Sequence, residues 1–222
     1  MKAFKKVLLV TAIGVAGLGI YQFVKQPALL NVTSPVVVKT ADMTSAGIVK
    51  TATPVNVKTA SAAWILKESN MIQSQAGNLS PGAVKAGLTA YQKARSEGLD
   101  NKQMLTIIDY SKSSANRRLV VVDMKNEKVL FNTWVAHGKN SGAANATSFS
   151  NNPRSLKSSL GVYVTSEIYD GKHGESLRVK GLEQGFNSNA YNREIVFHSA
   201  QYVGPDVAKS RGMVGRSWGC MA

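Results

Sequence analysis

The chain has 222 residues, of which 44% are hydrophobic, and this is enough to form one catalytic-sized domain with attachments. Its 27 lysines and arginines exceed its 13 aspartates and glutamates, which gives a net charge of +14 and favours an acidic partner. Cell-wall polymer, anionic lipid and nucleic acid all fit that charge, whereas the single cysteine excludes an internal disulfide.

Residues 1–24 have the order of an export signal. Lys2, Lys5 and Lys6 precede an uncharged run from Val7 to Val24, and this order is typical of a secretory signal peptide or a signal anchor. No clear cleavage motif of small residues follows, so cleavage and retention as an anchor both stay open. We expect an exported protein of the periplasm or the cell envelope.

Residues 25–60 are rich in Ala, Thr, Val and Lys, and they repeat a short pattern in VVVKTA, GIVKTA and VNVKTA. The spacing of the repeats is too irregular for a solenoid, and the segment contains no aromatic residue. The pattern therefore predicts a flexible tether that holds a domain away from a membrane.

Residues 61–110 have the pattern of a helical preface to the main domain. In SPGAVKAGLTAYQKARSEG, Ser80 is placed as an N-cap, Pro81 as the first helical residue and Gly98 as the end. A second short helix is predicted over residues 101–110.

Residues 111–222 change to the pattern of strands, which predicts a mostly β catalytic domain. The strand predicted over residues 128–138 has apolar residues on both faces, which predicts a central position in the sheet. The predicted strands, of which the last two are separated by a glycine-rich segment, are RRLVVVDM (117–124), KVLFNTWVAHG (128–138), LGVYVTSEIY (160–169) and REIVFHSAQYV (193–203).

Cys220 is a candidate nucleophile. An unpaired thiol in an oxidising compartment is prone to unwanted pairing, so its presence in an exported protein needs a reason, and catalysis is one. Burial as an inert residue and intermolecular pairing are the alternatives. A cysteine nucleophile usually needs a histidine as its base, and the chain has only His137, His173 and His198. His137 and His198 each end a predicted strand, whereas His173 lies in a glycine-flanked loop, where a hydrogen bond within the loop is its default role.

Four segments follow one another in a distinctive order, namely VAHGKNSG (135–142), SLKSSLGVYVTSEIYDGKHGESLRVKGLE (155–183), NREIVFHSAQYV (192–203) and GRSWGC (215–220). Together they resemble the murein L,D-transpeptidase catalytic-domain family, a branch of the YkuD-like superfamily, over about residues 80–220. The superfamily signature is a histidine followed by Ser-His-Gly-Cys. Here His198 is followed by Ser217-Trp218-Gly219-Cys220, with tryptophan in place of the second histidine, as expected for this branch.

The resemblance implies a mainly β (α+β) fold, with a sandwich or barrel-like sheet core behind the helical preface. It implies that Cys220 is the nucleophile, that His198 is the base and that the carbonyl of Ser199 orients the imidazole. Backbone amides around Gly219 and Cys220 would form the oxyanion hole. No metal or organic cofactor is implied, because the thiol and the base supply the covalent chemistry.

The resemblance also implies the reaction. Cys220 would attack the third residue of a peptidoglycan stem tetrapeptide and release the terminal D-Ala, which leaves a thioester. An amine of a second stem then gives a 3,3-crosslink, and water instead gives an L,D-carboxypeptidase. The alternative function is a peptidoglycan-binding or structural homologue without turnover.

Stem peptides of peptidoglycan are the expected partner, together with the inner membrane if the N-terminal segment is uncleaved. Nucleic acid is not an expected partner, because only the net positive charge favours it and the export signal argues against it.

Five residues near the motif are candidates for substrate binding: Arg216, Ser217, Trp218, Tyr202 and His137. For Arg216 a structural salt bridge is the alternative to a stem carboxylate. For Trp218 packing in the core is the alternative to stacking on the substrate. His137 and Tyr202 line the cleft if the strand ends converge there.

In the resembling family the chain continues after the cysteine with a proline and a closing strand, whereas Met221 and Ala222 follow Cys220 here. From this we expect an unpaired sheet edge. A terminal carboxylate near the thiol would also raise the pKa of the thiol. Two explanations stay open, a truncated form with impaired activity and a sequence that is cut short.

Overall fold

A computed structural model of the chain describes residues 8–12 and 57–222, which form a mixed α+β fold. The helices are α1 (Val57–Gln75), α2 (Pro81–Ser96) and α3 (Pro205–Arg211). The strands are β1 (Leu8–Ala12), β2 (Met104–Asp109), β3 (Leu119–Asp123), β4 (Lys128–Thr133), β5 (Gly161–Gly171), β6 (Gly174–Gly181) and β7 (Val196–His198). The predicted class, a sheet domain preceded by helices, is confirmed.

The described strands form one sheet in the order β4-β3-β2-β1-β5-β6-β7. Strands β2, β3 and β4 make an antiparallel half, and β5, β6 and β7 make a second one. Strand β1 joins the halves, because it pairs parallel with β2 and antiparallel with β5. The sheet thus consists of two antiparallel units with β1 between them.

The two faces of the sheet carry separate hydrophobic clusters. Alternate residues of β2, β3 and β5 point to opposite faces, as the strand period of two requires. One cluster packs α1 and α2 on the sheet, and its largest members include Ile72, Leu88, Tyr91, Leu105, Ile107, Val120 and Val162. The other cluster includes Ile108, Tyr110, Tyr163, Val179, Ile195 and Met221, the residue that follows Cys220.

Helix α2 begins and ends as its sequence predicts. The side chain of Ser80 accepts a hydrogen bond from the N–H of Ala83 at 3.3 Å, and Pro81 is the first helical residue. Gly98, just beyond the helix, has a φ of +69°. The N–H of Ser80 also donates to the carboxylate of Asp109 at 2.8 Å, which ties the helix start to the end of β2.

The short helix predicted over residues 101–110 is wrong, because β2 occupies most of this range. The side chain of Asp100 accepts from the N–H groups of Lys102 and Gln103, at 3.0 and 3.1 Å, and so closes a turn where a helix start was expected. Pairing of β2 with strands on both sides then overrides the local pattern.

The central position predicted for residues 128–138 is also wrong. The hairpin with β3 forms, but β4 ends the strand order, and Leu130 and Phe131 are 40% and 63% exposed. Apolar residues on both faces therefore do not mark a central strand here. The glycine-rich segment after β5 contains β6, and the strand predicted over 193–203 is confined to β7.

Residues 221 and 222 bridge the two ends of the sheet. The N–H of Met221 donates to the carbonyl of Val196 at 3.0 Å, and the N–H of His198 donates to the carbonyl of Met221 at 3.4 Å. On the other side, the N–H of Ala136 donates to the carbonyl of Ala222 at 2.8 Å. The edge of β7 that we expected to be unpaired therefore pairs with Met221, and Ala222 connects it to the segment after β4.

The predicted tether lies outside the described residues, apart from Val57 to Ala60 at the start of α1. Of the predicted export signal only Leu8–Ala12 is described, as β1. None of the helices in the described part of the chain is both long enough and apolar enough to cross a membrane.

The position of β1 gives a first prediction. Deleting residues 1–24 removes the shared strand and leaves β2 and β5 with unpaired edges, whereas deleting residues 1–7 leaves β1 intact. We expect the longer deletion to lower the melting temperature by roughly 10 °C relative to the shorter one. Thermal unfolding followed by circular dichroism measures both, and equal melting temperatures would contradict the pairing.

Glu183 is a buried carboxyl group beneath β5. One of its oxygens, Oε2, accepts from the N–H of Val162 at 2.9 Å, while Oε1 has no hydrogen-bond partner among the described residues. Burial raises the pKa of Glu183 to about 7, against smaller lowering effects of Val162 and Lys93. The folded protein thus favours the protonated carboxyl.

The raised pKa gives a second prediction. Because the folded pKa lies above the ordinary value of 4.5, the stabilisation by the protonated carboxyl is present below about pH 4.5 and is lost as the pH rises through 7. Glu183→Gln removes this loss, which is on the order of 3 kcal/mol in the free energy of unfolding. Urea unfolding at pH 5 and pH 8 measures it, with the exposed Glu175→Gln as control. An unchanged pH dependence in Glu183→Gln would rule the explanation out.

Candidate active site

The segment that carries Cys220 is fixed by a tight turn. The N–H of Ser217 donates to the carbonyl of His137 at 2.9 Å, which docks the turn on the segment after β4. The hydroxyl of Ser217 donates to the carbonyl of Cys220 at 2.7 Å and accepts from the N–H of Gly219 at 3.1 Å. Ser217 is 4% exposed, so its hydroxyl is used within the turn.

Gly219 is required by this turn. Its φ is +124°, and a Cβ at this position would lie 2.9 Å from the carbonyl oxygen of Lys157. A side chain would therefore strain the backbone and push the turn away from the neighbouring loop. The close approach at this glycine is made to the protein's own backbone.

The thiol of Cys220 is partly buried and protonated in this arrangement. It donates to the carbonyl of Glu194 at 3.5 Å. Burial raises the pKa of the thiol, and the charge of Glu194 adds to that effect. The N–H of Val196 and the guanidinium of Arg193 act in the opposite direction. The thiol consequently needs a base to become a nucleophile at neutral pH.

His198 ends β7 and is oriented by its neighbour. Its Nδ1 lies 2.8 Å from the carbonyl oxygen of Ser199, which is the contact that the resemblance implies. Because a carbonyl oxygen only accepts, Nδ1 carries the proton and Nε2 keeps a lone pair. The ring of His173 stacks on that of His198 at a centroid distance of 4.6 Å. The hydroxyl of Ser199 donates to the carbonyl of His173 at 3.3 Å.

Cys220 and His198 line the same cleft, which has a volume of about 480 Å³. No hydrogen bond joins the thiol to His198 among those of the described residues. Other residues predicted from the sequence also line this cleft: Tyr202, Arg216, Ser217 and Trp218. The same holds for several that were not predicted as site residues: Tyr169, Lys172, Ser176, Arg193, Glu194 and Val196.

Trp218 and Arg216 differ in how they are held. Trp218 is 75% exposed, with the Nζ of Lys139 5.9 Å from its ring centroid, so packing in the core is excluded. The guanidinium of Arg216 donates to the carbonyls of Lys139 and Gly142, at 3.4 and 3.2 Å. Tyr202 packs on Gly215, where a Cβ would lie 2.6 Å from its side chain.

The structure does not bring His137 to the cleft. His137 is fully buried, and its Nδ1 accepts from Nη2 of Arg118 at 2.8 Å. Burial, followed by the positive charge of Arg118, lowers the pKa of His137 to about 4. The imidazole is therefore neutral. The residue supports the turn through its backbone carbonyl, which accepts a hydrogen bond from the N–H of Ser217.

Sequence reasoning missed two arginines, one behind His137 and one in the cleft with Cys220. Arg118 is fully buried and donates to the carbonyls of Val135 and Lys112, and burial lowers its pKa to about 10. Arg193 lines the cleft and is described below. Neither stands in a pattern that distinguishes it from a surface arginine, although Arg193 lies next to the apolar run that ends in His198.

A metal site has no support in the part of the chain that the structure describes. No three His, Cys, Asp or Glu side chains there are grouped so that they could hold an ion. The chemistry available in the cleft is that of a thiol, an oriented imidazole and backbone amides.

Comparison with protein-family models matches residues 75–222, about two thirds of the chain, to the L,D-transpeptidase catalytic domain, YkuD_2. The matched range begins at the end of α1 and contains both Cys220 and His198. No curated protein and no solved structure shows significant similarity to the chain. The match covers more than half of the sequence, and the chain therefore belongs to the L,D-transpeptidase catalytic domain family.

Proposed function

We propose that the protein is a peptidoglycan L,D-transpeptidase of the periplasm or cell envelope, with Cys220 as its nucleophile. The observation that carries this proposal is one cleft, inside the matched domain, that is lined by the chain's only thiol and by a histidine with a fixed tautomer. The family acts on peptidoglycan, which supports stem peptides as the substrate. Residues 1–24 act as the export signal or membrane anchor.

In the first half-reaction, Nε2 of His198 accepts the thiol proton, and the sulfur attacks the carbonyl carbon of the third stem residue. A carbon–sulfur bond forms, and the carbon–nitrogen bond to the terminal D-Ala breaks. The imidazolium returns its proton to the leaving amine. The carbonyl of Ser199 accepts from Nδ1 throughout, which holds the ring in place.

In the second half-reaction, an amine of another stem attacks the thioester and gives a 3,3-crosslink. Water in the place of the amine gives an L,D-carboxypeptidase from the same acyl-enzyme. The thiol is regenerated in both cases. The two outcomes differ only in the acceptor, so the same residues serve both.

The N–H of Cys220 is the amide best placed for the oxyanion hole. The N–H of Gly219 is already bound by the hydroxyl of Ser217 at 3.1 Å. Within the described part of the chain, the N–H of Cys220 donates to no acceptor. A free donor on the nucleophile itself lies beside the carbon that the sulfur attacks, where the negative charge develops.

The charge of the cleft suits an acidic peptide. Lys172, Arg193 and Arg216 line it, against the single carboxylate of Glu194. A stem peptide carries free carboxylates, which a cationic cleft attracts. Trp218 adds an exposed ring at the same rim.

A third prediction follows from the covalent step. The domain incubated with a stem tetrapeptide or a carbapenem should gain the mass of the acyl group, as seen by intact mass spectrometry, because the thioester or its analogue is covalent. His198→Gln should slow acylation by about 10²-fold or more, because it removes the base.

Cys220→Ala, folded as judged by circular dichroism, is the control and should show no adduct. A folded wild-type protein that gains no mass would overturn the enzymatic function and favour a peptidoglycan-binding homologue. An adduct on Cys220→Ala would overturn the assignment of the nucleophile.

A fourth prediction separates the two neighbours Trp218 and Ser217. Trp218→Ala removes an exposed ring, so we expect KM for the stem peptide to rise about fivefold or more, with the melting temperature unchanged. Ser217→Ala removes two hydrogen bonds from a buried turn and should cost about 1–3 kcal/mol of stability. Release of D-Ala and thermal unfolding measure the two effects. A melting temperature that falls equally in both variants would contradict this division.

A further inference from the structure

Arg193 is anchored beside the nucleophile turn by four hydrogen bonds. Its Nη1 donates to the carbonyl of Ser150 at 2.7 Å and to the hydroxyl of Ser159 at 2.6 Å. Its Nη2 donates to the carbonyl of Lys157 at 2.6 Å and to the hydroxyl of Ser155 at 3.2 Å. The guanidinium is therefore fixed in one position by the loop over residues 150–159.

All four partners are neutral. Arg193 takes part in none of the ion pairs formed by the described residues. The side chain is about half-buried, and burial lowers its pKa, but a guanidinium keeps its proton at neutral pH. Its positive charge is thus held in a partly desolvated place without a carboxylate to neutralise it.

The fixed charge lies against the residue that precedes the nucleophile. A Cβ placed on Gly219 would be 3.5 Å from Nη2 of Arg193. The same Cβ would be 2.9 Å from the carbonyl of Lys157, which Arg193 binds. Across the turn, the hydroxyl of Ser158 donates to the carbonyl of Gly219 at 3.3 Å. Arg193 is therefore bonded to the loop that packs on the turn.

We propose that Arg193 is a positioning residue of the acyl transfer, which stabilises the thiolate of Cys220 by its fixed positive charge. The proposal rests on the proposed role of Cys220 as the nucleophile. The thiol gives its proton to His198, and the guanidinium, which stays protonated, lowers the energy of the resulting anion.

The surrounding charges set the size of the effect. Burial raises the pKa of the thiol and the carboxylate of Glu194 raises it further, while Arg193 lowers it. The other charged or titratable groups around the thiol come from the end of β5 and the β5–β6 turn, from the residue after β2, and from β7 and the segments that follow it. They are Tyr110, Tyr169, Lys172, His173, His198, Tyr202 and Arg216. Of the cations, Arg193 is the one bonded to the loop against Gly219.

Alkylation of the thiol tests the proposal independently of turnover. Cys220 is the only cysteine of the chain, so the rate of its reaction with iodoacetamide reports the thiolate fraction of that one group. We expect Arg193→Gln to slow alkylation at pH 7 about tenfold and to move the midpoint of the pH–rate profile upward. Arg154→Gln, which removes an exposed positive charge from the same loop, should leave the profile unchanged.

Arg193→Lys separates the effect of the positive charge from the effect of the hydrogen bonds to the loop. It keeps the charge and loses the planar set of hydrogen bonds, so it should melt at a lower temperature and keep a midpoint near that of the wild type. A raised midpoint in Arg193→Lys, or an unchanged one in folded Arg193→Gln, would overturn the proposal. If Arg193→Gln does not fold, Arg193→Lys decides alone. Normal alkylation without acylation by a stem peptide would instead count against the proposed function.

Discussion

The backbone pairing of residues 217–222 is the constraint on which the rest of the site depends. These residues lie between β7 on one side and the segment after β4 on the other, and they bond to both. The pairing places Cys220 in the same cleft as His198, because His198 ends the strand with which Met221 pairs. Cys220 and His198 are thus positioned by the same hydrogen bonds that connect β7 to the segment after β4. Weaker pairing of residues 217–222 would therefore lower the stability of the fold and also change the relative position of Cys220 and His198.

Burial acts on the thiol of Cys220, whereas a backbone carbonyl orients the ring of His198. A partly buried thiol resists ionisation, and the carbonyl of Glu194 accepts a hydrogen bond from it. The tautomer of His198 is fixed by a carbonyl oxygen, which adds no negative charge beside the ring. Arg193 and Glu194 are neighbours in sequence with opposite effects on the thiol. Beyond burial, the pKa of the Cys220 thiol therefore depends on two adjacent residues of opposite charge in the turn before β7.

Features that depend on residues close in sequence could be predicted, whereas features that depend on long-range tertiary contacts could not. The cap at Ser80 and the hairpin of β3 and β4 depend on near neighbours, and the sequence predicted them. The need for glycine at position 219 depends on the distant Lys157 and was not predicted. Strand β2 was mistaken for a helix because its pairing partners are distant in sequence. The sequence placed His137 at the end of a strand, as it placed His198, but β4 ends at Thr133. The buried Arg118 binds the His137 ring and makes it a support of the turn. Arg193 shows no sequence signal, because its role depends on the loop at residues 150–159.

The N-terminal segment faces two incompatible demands. Leu8–Ala12 pairs with β2 and β5 in the sheet, yet these residues also lie within the uncharged run expected to enter a membrane during export. One set of residues cannot do both at once, since each backbone group has a single place to bond. With β1 withdrawn, each antiparallel half keeps its own pairing, and residues 217–222 still connect β7 to the segment after β4. The strand-to-strand connection between the halves would then run through the turn that carries Cys220. The state of the N-terminus would thereby bear directly on the geometry of Cys220.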